Sequence, residues 1–163
     1  KGDHREAISS YQKVIRSEPG NAEAYLRLGV LYMDRDMIED AIETLKKASV
    51  IDPDFGEVHY RLGCALFSDD KFSEAAAAFS RAIELTPGNY EAYYRLGLAL
   101  DARAQVQEAI RAYKKAIDLN PIYIKAYNSL GLAYETAGKR DEAVRCLKKA
   151  IELEEKIFKD EEA

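Results

Sequence analysis

The fold of this chain is decided by residues 22–53, which read AEAYLRLGVLYMDRDMIEDAIETLKKASVIDP. Its landmarks recur every 34 residues, and all four prolines of the chain follow this step, at Pro19, Pro53, Pro87 and Pro121. A Leu-Gly pair keeps the same step and ends at Gly29, Gly63, Gly97 and Gly131. A period of 34 residues predicts stacked units of two helices each.

The recurring residues have a direct physical meaning. Glycine and alanine let two helices approach to the lower part of the ~8–10 Å packing range, while tyrosine and leucine fill the space around the contact. Proline ends the second helix of each unit because it has no N–H to donate. We therefore predict helices at 22–35, 38–51, 56–69, 72–85, 90–103, 106–119, 124–137 and 140–158.

This pattern resembles the tetratricopeptide repeat (TPR) family. The first complete unit carries the family's landmarks at Tyr25, Leu28, Gly29, Tyr32, Ala41, Leu45, Ala48 and Pro53. The resemblance implies an all-α fold, a right-handed TPR superhelix (α-α solenoid) of antiparallel helix pairs. It implies a single array over 1–163, with a partial repeat at 1–21 and full repeats at 22–55, 56–89, 90–123 and 124–158. The last repeat has Glu155 in the proline place, which predicts an extended C-terminal helix.

Composition limits the classes of function. The formal net charge is −5 and the pI is about 5.2, which argues against a general nucleic-acid-binding protein because such proteins need a basic face. No apolar run approaches the ~18 residues that would span a bilayer, so we expect a soluble cytoplasmic segment. Cys64 and Cys146 lie more than two repeats apart, too far for a disulfide under the ~7 Å limit.

No catalytic constellation stands out in the sequence. It contains no phosphate-binding glycine loop, no His-Glu-x-x-His and no Cys-x-x-Cys. His59 occupies the buried aromatic place of its repeat, so a core role is favoured over a ligand or base. Cys64 has no histidine at helical spacing and is interpreted as an inert thiol. We therefore predict a protein that is not an enzyme and that holds no cofactor and no metal.

In the TPR family, a partner peptide is bound by one face of the first helices. The resemblance predicts a groove of fourteen residues: Leu26, Arg27, Val30, Met33, Tyr60, Arg61, Cys64, Phe67, Tyr94, Arg95, Leu98, Asp101, Asn128 and Leu132. This set is apolar toward the N-terminus and polar toward the C-terminus. We expect an uncovered apolar stripe here, which is the kind of surface that binds a peptide or a helix of another protein.

The arginines of this groove allow two interpretations. Arg27, Arg61 and Arg95 each follow a glutamate by four residues, the order that favours an intrahelical pair worth roughly 0.2–0.5 kcal/mol. The alternative is that the guanidinium groups bind carboxylates of a partner.

The second helices carry a recurring basic stripe, with Lys13, Lys46, Lys47, Arg81, Lys114, Lys115, Lys148 and Lys149. It is either a solvated face near helix C-termini, where the helix dipole favours cations, or a contact with an anionic membrane.

The start of the chain predicts self-association. Residues 1–18 form only the second helix of a pair, so we expect an array cut inside a repeat, with Ile8, Tyr11 and Ile15 uncovered. Such a helix could dock in the groove of another copy, and a head-to-tail contact of this kind propagates beyond a dimer. The full-length protein is therefore predicted to be a homo-oligomer.

Within the TPR family, several segments resemble the magnetosome-associated scaffold proteins. The segments are Leu31–Asp34, Asp40–Glu43, Tyr94–Leu98, Leu130–Glu135, Arg140–Val144 and Glu154–Lys156. The resemblance implies a cytoplasmic scaffold that assembles around magnetosome vesicles, docks other proteins and is held peripherally at the membrane. Two alternatives remain open, a different cytoplasmic TPR adaptor and the TPR arm of a larger enzyme.

Overall fold

The computed structural model describes residues 2–161, and every secondary-structure element in that range is an α-helix. The helices are α1 (Gly2–Ser17), α2 (Ala22–Met33), α3 (Ile38–Ile51), α4 (Gly56–Ser68), α5 (Phe72–Leu85), α6 (Tyr90–Ala102), α7 (Val106–Leu119), α8 (Ile124–Thr136) and α9 (Arg140–Glu161). We call α2, α4, α6 and α8 first helices and α3, α5, α7 and α9 second helices. The all-α prediction is confirmed. Within the described residues, no helix combines the length and the hydropathy needed to cross a bilayer.

The chain divides into two compact units, the first ending at Pro87 and the second beginning at Gly88. In the first unit, α1 packs on α2, α2 pairs with α3, and α4 pairs with α5. In the second unit, α6 pairs with α7 and α8 with α9, and α7 also packs on α8. The prediction of a single array over the whole chain stays a prediction.

The helix pairs are held by contacts between a glycine and a large side chain sixteen residues later. A Cβ atom added to Gly29 would lie 2.6 Å from Leu45 Cγ, and one added to Gly63 would lie 2.7 Å from the Phe79 ring. The corresponding contacts in the second unit are Gly97 with Tyr113 and Gly131 with Leu147. Only a residue without a side chain fits at these places.

Helix ends follow local chemistry. The side chains of Asn21 and Asn89 accept hydrogen bonds of 3.0 Å from the backbone N–H groups of Ala24 and Ala92, which caps α2 and α6. Prolines follow the caps of α3, α5 and α7, as predicted. With Glu155 in the proline place, α9 continues to Glu161, beyond the expected residue 158.

The first helices end one or two residues earlier than predicted. After each of them one residue turns into the left-handed region: Asp36, Asp70, Ala104 and Gly138. This turn lets the next N–H bond back to a carbonyl five residues earlier, as Met37 does to Tyr32 at 2.9 Å. Since glycine stands at only one of the four places, the sequence carried little signal for the exact boundary.

The glycine contact generates the first prediction. Changing Gly97 to Leu should lower the free energy of unfolding by about 1–3 kcal/mol, because the fully buried Tyr113 ring cannot move aside. Urea denaturation followed by circular dichroism measures the loss. Gly88→Ala is the matched control, since nothing lies within 4 Å of a Cβ atom at that place. Equal stability of the two variants would contradict the proposed packing.

Candidate functional site

The predicted groove residues of the first unit lie on α2 and α4, which contact each other. Val30, Met33, Cys64 and Phe67 are half-buried, and the Phe67 ring meets Phe72 edge-on at 5.2 Å between centroids. These four side chains, which we call the apolar face of the first unit, combine contact with the core and access to solvent. A partner could reach them without unfolding the helix pair.

Two of the predicted groove residues belong to the core instead. Leu26 is 2% exposed and Tyr60 is 7% exposed, and the Tyr60 ring packs at 6.0 Å from the Phe79 ring. The expectation of an uncovered stripe is therefore wrong at these two places. At Tyr60 the physical reason is contact with Phe79, the large side chain that also packs against Gly63.

The arginines of the first unit are paired within their own helices. Arg27 Nε donates to Glu23 Oε1 and Arg61 Nε donates to Glu57 Oε1, both at 2.6 Å. The Arg61 guanidinium also lies 5.5 Å from the Tyr60 ring centroid. Burial alone would lower the pKa of Arg61, but the Glu57 carboxylate outweighs it and the pKa is raised. The intrahelical interpretation of these two arginines is confirmed, and a partner carboxylate would have to compete with a glutamate already in place.

In the second unit, the predicted site residues lie on α6 and α8. Tyr94, Arg95, Leu98, Asp101 and Asn128 are half-buried, while Leu132 is exposed. We call Leu98, Asn128 and Leu132 the mixed face of the second unit, because the set combines one amide with two apolar side chains.

Tyr94 is held in a cluster of aromatic rings. Its ring centroid lies 5.1 Å from Tyr123 and 5.9 Å from Tyr113, and Tyr123 in turn meets Tyr90 at 4.9 Å. Burial and the neighbouring Tyr94 raise the pKa of Tyr123 to about 12. Sequence reasoning missed Tyr90 and Tyr123. The available signal was that an aromatic residue stands directly before a first helix at Phe55 and again at Tyr123.

Asp101 satisfies a buried hydroxyl. Tyr113 is fully buried, and its hydroxyl donates to Asp101 Oδ2 at 3.4 Å. Burial raises the pKa of Asp101, and the Tyr113 hydrogen bond offsets part of this effect. The pKa of Tyr113 is itself raised, first by burial and then by the Asp101 charge. Asp101 thus has a structural task beside any contact with a partner.

The surface formed by α3 carries two open clefts. One of about 410 Å³ lies between α1, α2 and α3, and Gln12 Nε2 donates to the Tyr32 hydroxyl at 3.2 Å beside it. A second cleft of about 480 Å³ is lined by Pro19, Tyr25 and residues of α3. Both clefts carry charges of opposite sign, so neither selects an anion or a cation.

Half of the basic stripe is paired with carboxylates. Lys46 reaches Glu74 at 3.4 Å and Lys47 reaches Glu43 at 2.7 Å. Arg81 bridges Asp54 and Glu84 at 2.8 and 3.0 Å, and Lys149 meets Glu152 at 3.1 Å. Because each pair is exposed, it adds little stability, but it lowers the local positive potential. This favours the solvated-face interpretation over lipid binding.

His59 and the two cysteines have ordinary surroundings. His59 Nε2 lies 2.9 Å from the Pro53 carbonyl oxygen, which ties α4 to the preceding turn. Cys64 and Cys146 are half-buried thiols that form no disulfide with each other, and burial raises the pKa of Cys146. Among the residues that the structure describes, no group of three His, Cys, Asp or Glu side chains could hold a metal ion.

Comparison with known proteins extends this picture. Profiles of the tetratricopeptide repeat match residues 1–62, 60–124 and 124–157. A crystal structure of MamA is 48% identical in sequence, with a TM-score of 0.94 over 98% of this chain and 93% of that chain. The chain belongs to the tetratricopeptide repeat family. The TPR prediction and the likeness to MamA are thereby confirmed, and the chain is a protein-interaction module of the TPR type.

Other solved TPR structures share the fold at lower identity. MamA from Desulfovibrio magneticus RS-1, residues 41 to the end, is 26% identical, with a TM-score of 0.90 over 95% of this chain and 88% of that chain. YrrB, described as a TPR protein with an unusual peptide-binding site, is 25% identical, with a TM-score of 0.84 over 93% of this chain and 78% of that chain. No curated protein sequence matches the chain significantly.

The position of Asp101 generates a pH prediction. A raised folded-state pKa gives stability that is present below the ordinary value of 3.8 and is lost as the pH rises through the folded value. Asp101→Asn keeps an oxygen acceptor for Tyr113 and never ionises. We therefore expect Asp101→Asn to gain stability relative to the unchanged chain between about pH 3 and pH 7 in urea unfolding.

Glu135→Gln is the control for this measurement. Glu135 stands one repeat after Asp101 and is exposed. Its substitution should change stability by a similar amount at both pH values. If the difference in unfolding free energy between Asp101→Asn and the unchanged chain stays constant with pH, burial of this carboxyl does not affect stability.

Proposed function

We propose that this chain is a cytoplasmic scaffold associated with magnetosomes. In this proposal it binds peptides or helices of other proteins on its first helices and assembles with copies of itself. The proposal is supported by the 48% identity to MamA over almost the whole chain and by the sequence segments that resemble magnetosome scaffolds. It does not rest on catalytic chemistry.

The observation that carries the binding role is the apolar face of the first unit. Val30, Met33, Cys64 and Phe67 are accessible in part, although the same helices bury Leu26 and Tyr60 in the core. Side chains that are anchored in this way lose little conformational freedom when a partner covers them. An amphipathic helix with apolar residues at three- and four-residue spacing would fit such a surface.

The polar residues around this face would adjust specificity. Arg27 and Arg61 already pair with Glu23 and Glu57. A partner carboxylate would have to replace one of these glutamates, so binding gains only the difference between the two interaction energies. Asn128 on the mixed face of the second unit offers both a donor and an acceptor to a peptide backbone. We therefore propose that apolar anchors supply most of the affinity and that charges contribute to selection among partners.

Self-association through α1 is part of the proposal, with a refined donor surface. Ile8, Tyr11 and Ile15 are half-buried rather than uncovered, because α1 packs on α2. A second copy would therefore use the part of these side chains that stays accessible. The resulting contact joins two different surfaces and is open-ended.

Peripheral attachment is proposed to use membrane proteins rather than lipid. Four of the eight residues of the basic stripe pair with carboxylates of this chain, which weakens attraction to an anionic bilayer. Lys13, Lys115 and Lys148 remain as exposed cations. A second candidate function, a general cytoplasmic peptide-binding adaptor, is favoured by the likeness to YrrB.

Co-sedimentation with purified magnetosome vesicles tests this proposal. The chain should sediment with intact vesicles and remain in solution when the vesicles have been treated with protease. Val30→Glu combined with Phe67→Glu should weaken binding about tenfold or more, because charges would enter an apolar contact. Val50→Glu, on an exposed residue of α3, is the matched control.

The outcomes separate the alternatives. Equal binding to treated vesicles would assign the attachment to lipid. If the chain binds no magnetosome vesicle but captures peptides through Val30 and Phe67, the adaptor function replaces the magnetosome role. Circular dichroism of each variant checks that the helices are retained.

A further inference from the structure

The outer face of α9 carries a line of exposed apolar residues. Val144, Ile151 and Phe158 are 50%, 54% and 62% exposed, and each follows the last by seven residues. A seven-residue step keeps side chains in one line along a helix. The opposite face of α9 is buried, at Ala143, Ala150 and Leu153, where α8 packs. We call the exposed line the outer face of α9.

The repeat register shows that this face normally has a covering helix. Val144 occupies the place held by Ile42 in α3 and by Ile110 in α7, which are only 6% and 5% exposed. Ile110 packs in a core cluster with residues of α8, the first helix that follows it. The same place in α9 is therefore built to be covered, yet no helix of the described residues covers it.

A following repeat in the usual register could not cover it either. First helices begin three residues after the proline place, as Gly56 does after Pro53 and Ile124 does after Pro121. The same step from Glu155 falls at Phe158, where α9 is still helical, and the helix continues to Glu161. Because α9 continues to Glu161, a repeat that began at 158 in the usual register does not cover Val144 and Ile151 in this structure.

Charges along the line indicate what that surface is. Lys148 lies between Val144 and Ile151, and Glu155 lies between Ile151 and Phe158. Both are exposed, and neither forms an ion pair with another described residue. Along the helix these five residues are apolar, basic, apolar, acidic and apolar. When a second copy runs in the opposite direction, its acidic residue comes near the basic one and its apolar residues meet apolar ones.

We propose that two copies of this chain pair their last helices antiparallel, about a two-fold axis at Ile151. Val144 of each copy then faces Phe158 of the other, and Lys148 comes within one residue step of Glu155. A parallel pairing in register would instead place Lys148 against Lys148. Since α9 has 22 residues, it is about 33 Å long, enough for three heptad layers.

This contact is separate from the self-association proposed above. It uses neither α1 nor the first helices, and it closes at two copies because both contribute the same surface. Three apolar residues from each copy make a small interface at the low end of specific contacts. We expect dissociation in the range of roughly tens of micromolar.

Reciprocal charge variants test the pairing in sedimentation equilibrium on the full chain. Lys148→Glu alone places two acidic residues in each charge contact, and Glu155→Lys alone places two basic residues there. Each variant should bind itself roughly tenfold more weakly than the unchanged chain. An equimolar mixture of the two variants should regain association, with a mass of twice the 18.4 kDa monomer.

The controls make the result specific. A chain with both substitutions should pair with itself normally. The Ile151→Glu chain should not pair, either alone or in a mixture. Val50→Glu, an equally isolated apolar residue on α3, should pair as the unchanged chain does. The proposal is overturned if the chain is monomeric at several hundred micromolar. It is also overturned if the mixture fails to recover association, or if only Phe67→Glu, and no change in α9, abolishes pairing.

Discussion

The close contact between a glycine of each first helix and a large side chain of its second helix is the constraint on which the rest of the structure depends. Gly63 receives Phe79 and Gly97 receives Tyr113, and both rings are fully buried. Close packing of this kind fixes the separation and the register of two helices at once. The neighbouring side chains of the first helix must then divide between core and surface.

That division shapes the candidate site. Tyr60 is drawn onto Phe79 and becomes core, whereas Phe67, seven residues later, keeps part of its ring accessible. In the second unit the hydroxyl of Tyr113 needs a partner, and Asp101 supplies it at the end of α6. The proposed binding surface thus consists of residues that the core contact leaves accessible, and core and site cannot be varied independently.

Several charged side chains are likewise paired with opposite charges of the same chain. Glutamates one turn away hold Arg27 and Arg61, and carboxylates from neighbouring elements hold Lys46 and Arg81. Exposed pairs of this kind are worth at most about 1 kcal/mol each, so their main effect is on the surface potential. The surface left for a partner is consequently more apolar than the number of charged residues suggests. Lys148 and Glu155, which form no ion pair with any other residue that the structure describes, stand out against this background.

The sequence by itself determined the helices, their pairing and the family, because the 34-residue step of proline, glycine and alanine is a local pattern with one structural solution. The extension of α9 followed from the single change to Glu155. The sequence did not determine which predicted groove residues are open, since Leu26 and Tyr60 occupy the same repeat place as Tyr94 yet differ from it in burial. Burial depends on the side chains that other helices bring in, and only the tertiary structure decides it. For the same reason, only the tertiary structure shows that Val144 lacks the cover given to Ile42 and Ile110.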